Sequence, residues 1–177
     1  MVEPLLDEML ASIQTDGGEA PKFSANPEAD AAMNDGESAY TRGELDKALS
    51  AYARALQLDP KLYEAALFAG DMQFKRGHNS TDPAARSDLF EKAGEWFAKA
   101  IALNPDRETA YRYWGNTLLE YGKDDEARTK FVEAIVADPY NQLVYTGLTK
   151  WGRRSRCRSR IRALMFRPAL HRASPVK

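Results

Sequence analysis

Three segments of the chain end in proline at the same distance from the same residue types. They read Ala48, Tyr52, Ala55, Pro60, then Ala93, Phe97, Ala100, Pro105, then Ala127, Phe131, Ala134, Pro139. Each is A-x3-[FY]-x2-A-x4-P, and each has a glycine upstream: Gly36, Gly70 and Gly115. The interval from Gly36 to Ala48 equals that from Gly115 to Ala127, and the interval from Pro60 to Gly70 equals that from Pro105 to Gly115. A pattern held in register three times constrains the fold more than any single stretch does. Alanine-rich stretches with helical apolar spacing predict amphipathic helices, and the closing prolines limit where each can continue. Small residues at Gly36, Ala48 and Ala55 let two antiparallel helices approach closely, with Tyr52 filling the gap between them. Gly43, Gly77 and Gly122 stand where short turns between helices need a permissive backbone. Asn26-Pro27 reads as an N-cap followed by proline at the first helical position.

The pattern resembles the tetratricopeptide repeat (TPR), a helix–turn–helix unit of about 34 residues with a G…A-x3-F…P signature. Pro105 to Pro139 is one full period. The third copy carries most of the signature, with Tyr111, Trp114-Gly115 and Leu118 in its first helix and Gly122 at the turn. The resemblance implies an all-α, right-handed helical solenoid of three helix-turn-helix pairs plus a C-terminal capping helix. Its expected repeats are about 29–62, 63–107 and 108–141, with a partial unit at 142–152. Leu143, Val144, Leu148 and Trp151 would cover the last pair. A single pair cannot bury its apolar face, so three stacked pairs are about the minimum for a continuous core.

The second copy is stretched: Gly70 to Ala93 is nearly twice the corresponding interval in the other copies. The extra segment lies near 78–89. Thr81-Asp82-Pro83 is a cap followed by proline, and helical periodicity runs on through Leu89, Phe90, Ala93, Phe97, Ala100 and Ile101. The insertion is therefore expected to lengthen the second helix at its N-terminal end, after a longer loop from His78 to Thr81. Two readings stand: a tolerated insertion at a surface turn, or a protruding helix that meets a partner, to which an exposed Trp96 would belong.

In TPR arrays the first helix of each pair lines a concave groove that binds a peptide or helix of another protein. The positions so implied here are Asp30, Met33, Glu37, Tyr40 and Thr41; Glu64, Leu67, Asp71, Phe74 and Lys75; and Thr109, Arg112, Asn116, Leu119 and Glu120. The expected partner-binding set is Tyr40, Leu67 and Phe74 as apolar anchors, with Glu37, Asp71, Arg112 and Asn116 giving polar registration. One TPR subclass clamps a C-terminal carboxylate with Lys and Asn at a spacing of i, i+4. Arg112 and Asn116 have that spacing, but the matching pairs are Met33 with Glu37 and Leu67 with Asp71, so that clamp is largely missing. Acids beside aromatics better suit a partner segment carrying Lys or Arg.

The net charge of −1 hides a division. Residues 1–150 hold all 26 Asp and Glu against 16 Lys and Arg, whereas 153–177 hold eight Arg, one Lys and no acid. That basic tail has three competing readings: contact with nucleic acid or another anionic surface, an import signal, or an unselected extension. Nucleic-acid or anionic-surface binding by the tail, with the array as assembly platform, is the alternative to the groove. Residues 1–28 form a separate N-terminal segment, with Leu5, Leu6, Met9, Leu10 and Ile13 at helical spacing before the joint at Asp16-Gly17-Gly18. It reads equally as a tail, a docking motif or a helix folding back.

One cysteine, Cys157, and two distant histidines, His78 and His171, give no disulfide framework and no thiolate or histidine metal set. No phosphate loop, no G-x-S-x-G and no Cys/His pairing occurs, so neither catalysis nor a cofactor is expected. No run approaches the apolar length of a membrane span, and the acidic N-terminus is unlike a signal peptide, so the expected compartment is cytoplasmic.

Overall fold

The computed structural model describes residues 22–165, with 156–165 as helical backbone only. The described residues form seven helices: α1 (Pro27–Thr41), α2 (Leu45–Leu58), α3 (Tyr63–Asn79), α4 (Pro83–Leu103), α5 (Glu108–Tyr121), α6 (Asp124–Ala137) and α7 (Gln142–Met165). They pack as three antiparallel pairs, α1 with α2, α3 with α4 and α5 with α6, followed by a trailing helix. Each second helix also packs on the first helix of the next unit. First helices touch one another across repeats, α3 with α5 and α5 with α7, to an extent that second helices do not. The first helices therefore lie on the shorter, inner side of an all-α solenoid.

Local chemistry sets the ends of these helices. Asn26 caps α1, its side chain accepting from the Glu28 N–H at 3.0 Å with Pro27 at the first helical position. Asp82 and Pro83 start α4 in the same way, through Ala84 N–H at 3.0 Å. The turns after α1 and α5 use Gly43 (φ 75°) and Gly122 (φ 84°), in left-handed conformations that side-chain-bearing residues avoid.

Gly77 behaves differently from the expected turn glycine. Helix α3 runs through it to Asn79, so His78 is helical and the connection to α4 is short. The glycine is needed for another reason: a Cβ there would meet the Phe90 ring at 2.7 Å. The stretched repeat places its extra residues in α4, which has 21 residues against 14 in α2 and in α6. The added turns pack, rather than protrude, on the end of α5. Phe90 stacks on Phe74 at 5.7 Å and tilts against Tyr121 at 5.9 Å, and the Ser87 hydroxyl meets that of Tyr121. Trp96 is half-buried against the core with the Lys99 ammonium 4.3 Å over its ring, so no exposed aromatic marks this helix as a docking element.

Within each pair one aromatic side chain from the second helix fills the space above a glycine of the first. Tyr52 lies on Gly36, Phe97 on Gly70 and Phe131 on Gly115, all three rings fully buried. The flanking alanines of the motif, Ala48, Ala55, Ala93, Ala100, Ala127 and Ala134, are fully buried as well. Phe131 is shared, since Gly147 of α7 also packs against its ring. Leu148 and Trp151 then close the third pair.

Helix α7 continues without a break through Gly152 to Met165. The compositional boundary at residue 152 therefore coincides with no helix end. Arg154 reaches back to Asp124 at 3.4 Å, so the first basic residues of the tail still touch α6. The N-terminal apolar stripe from Leu5 to Ile13 and the tail beyond 165 lie outside the described residues.

The glycine contacts lead to opposite outcomes for one substitution. A Cβ at Gly70 would lie 2.7 Å from the Phe97 ring, while at Gly152 it meets nothing within 4 Å. Gly70→Ala is expected to destabilise by about 1–3 kcal/mol through overpacking, and Gly152→Ala to stabilise by about 0.5–1 kcal/mol through helix propensity. Urea denaturation of the two variants, with unchanged m-values, checks both signs.

Candidate functional site

The inner face is built from the residues that follow each repeat glycine and their helical neighbours. Glu37 of α1, Asp71 of α3 and Asn116 of α5 take equivalent places in the three repeats, directly after Gly36, Gly70 and Gly115. Glu37 and Asn116 are half-buried, whereas Asp71 is 1% exposed. Tyr40 is also half-buried, one helical turn beyond Glu37. These residues supply an inner face with accessible polar groups in its first and third repeats.

Helix α3, enclosed on both sides, gives up its anchors. Leu67 and Phe74 are each 2% exposed, and Met33, equivalent to Leu67 in the first repeat, is fully buried. Phe74 is held between Phe90 and His78 by the lengthened α4. Such side chains have no surface to offer a partner, and the anchor role expected of Leu67 and Phe74 becomes a structural one. Tyr40 is the expected anchor that retains exposed surface.

The charged members are engaged in pairs. Lys75 sits 2.7 Å from Asp71, donates to the Tyr40 hydroxyl at 2.6 Å, and lies 4.1 Å above the Tyr40 ring. This one ammonium joins α1 to α3 across the first repeat boundary. Arg112 faces Glu108 through two contacts, Nε at 2.9 Å and Nη2 at 3.3 Å, both side chains nearly buried. Glu108 also accepts from the Asn141 amide at 3.1 Å, tying the start of α7 to α5. Arg112 thus stabilises a neighbouring carboxylate in its own helix, and the expected Arg112–Asn116 registration pair is divided: Asn116 alone has an amide that makes no hydrogen bond among the described residues.

Other expected groove positions are similarly occupied. Asp30 accepts from the Phe23 N–H at 2.7 Å and fastens the segment leading into α1. Glu64 pairs with Arg107 at 2.5 Å, and that guanidinium lies 4.4 Å over the Tyr63 ring. Tyr63 accepts from the Ala110 N–H at 3.2 Å, capping α5 from the preceding repeat, and burial pushes its phenol up to about 12. Sequence reasoning does not find Tyr63, Arg107 or Asn141, since partners that belong to different repeats leave no local signal.

Glu37 stands apart from these pairs. Its carboxylate forms no ion pair among the described residues, and partial burial raises its pKa above the ordinary carboxylate value. The hydroxyl of Tyr52 is buried without a hydrogen-bond partner among the described residues. Burial, then the charges of Glu37 and Asp71 and the nearby Tyr40, keep that hydroxyl protonated well above the ordinary phenol range.

Among the described residues no helix is long and apolar enough to cross a membrane, and no group of three or more His, Cys, Asp or Glu is placed to hold a metal ion.

No protein-family model matches the chain. Over 104 residues, 59% of its length, it is 30% identical to human tetratricopeptide repeat protein 6. Over 108 residues, or 61%, it is 32% identical to human protein O-mannosyl-transferase TMTC1. These stretches are 18% and 12% of the two human proteins, so the chain spans less than a fifth of either. Among solved structures, the Sgt2 TPR domain from Aspergillus fumigatus superposes with a TM-score of 0.61 at 22% identity, covering 89% of this chain and 94% of that one. The first TPR of Spaghetti (RPAP3), bound to the HSP90 peptide SRMEEVD, gives 0.60 at 20% identity, covering 74% and 95%. The TPR domain of Arabidopsis OM64 gives 0.61 at 17% identity, covering 72% and 96%. The chain is a helical solenoid of helix-turn-helix repeats, and its fold is that of the TPR domains.

Two outcomes follow from the electrostatics. Removing Arg112 strands Glu108 in a nearly dry site, so Arg112→Ala is expected to cost about 3–5 kcal/mol in thermal or urea unfolding. Glu37 has the opposite sign. Its raised folded pKa means the native state holds the proton more tightly than the unfolded chain does. Stability is therefore fullest below the ordinary Glu value of 4.5 and falls as pH rises through the raised folded value. Glu37→Gln is expected to raise the melting temperature at pH 7 by about 1–2 °C and to leave it unchanged at about pH 3.5, as paired melting curves can test.

Proposed function

We propose that the chain is a non-catalytic interaction module whose inner face, formed by α1, α3 and α5, takes a peptide or helix segment of another protein. The observation that carries this reading is the row of half-buried polar groups on that face. The Glu37 carboxylate lacks a counter-ion and the Asn116 amide lacks a hydrogen-bond partner among the described residues, with Tyr40 beside Glu37. A partner is the simplest source of groups that complete the carboxylate and the amide. The TPR domains of RPAP3 that resemble this fold were solved with the peptides SRMEEVD and SGPTIEEVD, which supports peptide binding as the use of the face. It does not extend to acidic peptides, because the Glu37 carboxylate, which has no ion pair among the described residues, would oppose them. In this reading Tyr40, Glu37 and Asn116 contact the partner, while Leu67, Asp71, Phe74 and Arg112 support the shape and charge of the face. The cytosol is the compartment that best suits a chain with one cysteine in 177 residues.

Selection of displayed random peptides on the intact chain tests this reading. Selected peptides are expected to lose about tenfold in affinity, near 1.4 kcal/mol, on Asn116→Ala or Tyr40→Ala, with helicity by circular dichroism unchanged. Binders indifferent to both substitutions, with affinity falling steeply with salt, would move the interaction to the basic tail and overturn it.

A further inference from the structure

A recess of about 350 Å³ opens at the joint between the second and third repeats, between α4 and the α5–α6 hairpin. It lies on the outer side of the array. At about 100° per residue, its lining residues Trp114, Leu118 and Tyr121 stand at least about 140° around α5 from Asn116. The floor is apolar, made by buried Phe90, Gly94 and Leu118 with half-buried Trp114 beside them. The rim carries Glu91 and Glu95 of α4 and Glu126 of α6, all three exposed, so an incoming side chain has open access.

The rim is negative in sum. Three carboxylates face one ammonium among the lining residues, and that one, Lys123, is drawn 4.7 Å over the Tyr121 ring. Lys130 lies 4.2 Å over the Trp114 ring, but Glu133 at 2.7 Å matches its charge. Glu95 and Glu126 form no ion pair among the described residues, and Glu91 accepts from the Tyr121 hydroxyl at 3.3 Å.

The other joints show which cation suits this place. Glu91 stands two residues before Ala93 as Asp46 stands two before Ala48, and Tyr121 follows Gly115 at the distance at which Arg76 follows Gly70. At the first joint the corresponding pair is joined, with the Arg76 guanidinium 2.8 Å from Asp46. At the second joint tyrosine replaces that arginine. Gly94 follows Ala93 as Arg128 follows Ala127, and at the third joint the Arg128 guanidinium lies 5.5 Å over the Trp151 ring. The chain thus supplies its own arginine at the joints on either side, whereas no arginine lines the recess between them.

We infer that this recess accepts one arginine side chain from a segment of another protein. The aliphatic stem lies on Phe90, Leu118 and Trp114, and the guanidinium meets the carboxylates of Glu91, Glu95 and Glu126. The site is separate from the inner face, so the array can hold two segments at once.

The test follows the amide resonances of Gly94 and Glu95 and the indole Nε1 resonance of Trp114 in the isotope-labelled intact chain. That indole nitrogen reports from the floor, since a Cβ at Gly94 would lie 3.0 Å from it. The probe is the peptide acetyl-Ala-Ala-Arg-Ala-Ala amide at constant ionic strength. Peptides with citrulline or glutamate in place of arginine serve as neutral and anionic controls. Saturable shifts at all three positions are expected with the arginine peptide only. Joint substitution of two exposed side chains, Glu95→Gln with Glu126→Gln, is expected to weaken this binding about tenfold with helicity unchanged. Equal shifts from the citrulline peptide, or equal binding by the double variant, overturn the recess as an arginine site. Shifts at Tyr40 and Asn116 with Gly94 and Trp114 unmoved place the arginine on the inner face, which overturns the recess and leaves the interaction module intact. Saturation of the recess with no peptide selected by the inner face supports the recess and overturns the groove. Shifts at Gly94 and Trp114 that grow on concentrating the intact chain alone assign the recess to a second copy and overturn its assignment to another protein.

Discussion

An aromatic ring seated on a bare glycine is the contact on which this structure depends. It recurs at Tyr52 on Gly36, Phe97 on Gly70 and Phe131 on Gly115, and each time it sets the separation of two helices. Alanines one turn to either side of the ring let the backbones close around it. Because the ring must come from the second helix and the glycine from the first, the contact also fixes which faces meet. The residue after each glycine is thereby turned toward the inner side. Glu37, Asp71 and Asn116 are aligned by packing, before any question of what they bind.

Much of this is legible in sequence because it repeats. Glycine-to-alanine and proline-to-glycine spacings specify helix pairing without reference to partners distant in sequence, and the Asn26-Pro27 and Asp82-Pro83 caps are local chemistry. Gly77 is misread because a helix-end glycine and a close-approach glycine look alike in one dimension. Only the Phe90 ring, brought over by the lengthened α4, distinguishes them. The same lengthening explains Phe74. Spacing alone puts it on the inner face, but a ring stacked at 5.7 Å covers it. Exposure is set by what packs on a helix, which periodicity does not report.

Charge is legible as a total and not as a set of pairs. The acidic excess of residues 1–150 suggests an open negative surface. In the structure several of the charged groups are engaged between repeats: Lys75 reaches Tyr40, Arg107 reaches Glu64, and Asn141 reaches Glu108. Each link crosses a repeat boundary and joins one unit to the next. Nearest-neighbour links of this kind are how a linear array becomes cooperative. What remains unpaired on the inner face is small in amount, and Glu37 owes its prominence to the pairing of its neighbours.

The lengthened α4 has a mechanical consequence. Its added turns lay Phe90 against Phe74 and Tyr121 together, so one ring bridges the second and third repeats near the ends of α3 and α5. No equivalent extension exists on α2, which ends its contact with α3 at the length of an ordinary repeat. The two joints of the array are therefore held by different contacts. The joint between the first and second repeats is closed instead by the Phe68 ring against Tyr52 at 5.4 Å, the Arg76–Asp46 pair at 2.8 Å and the link from Lys75 to Tyr40.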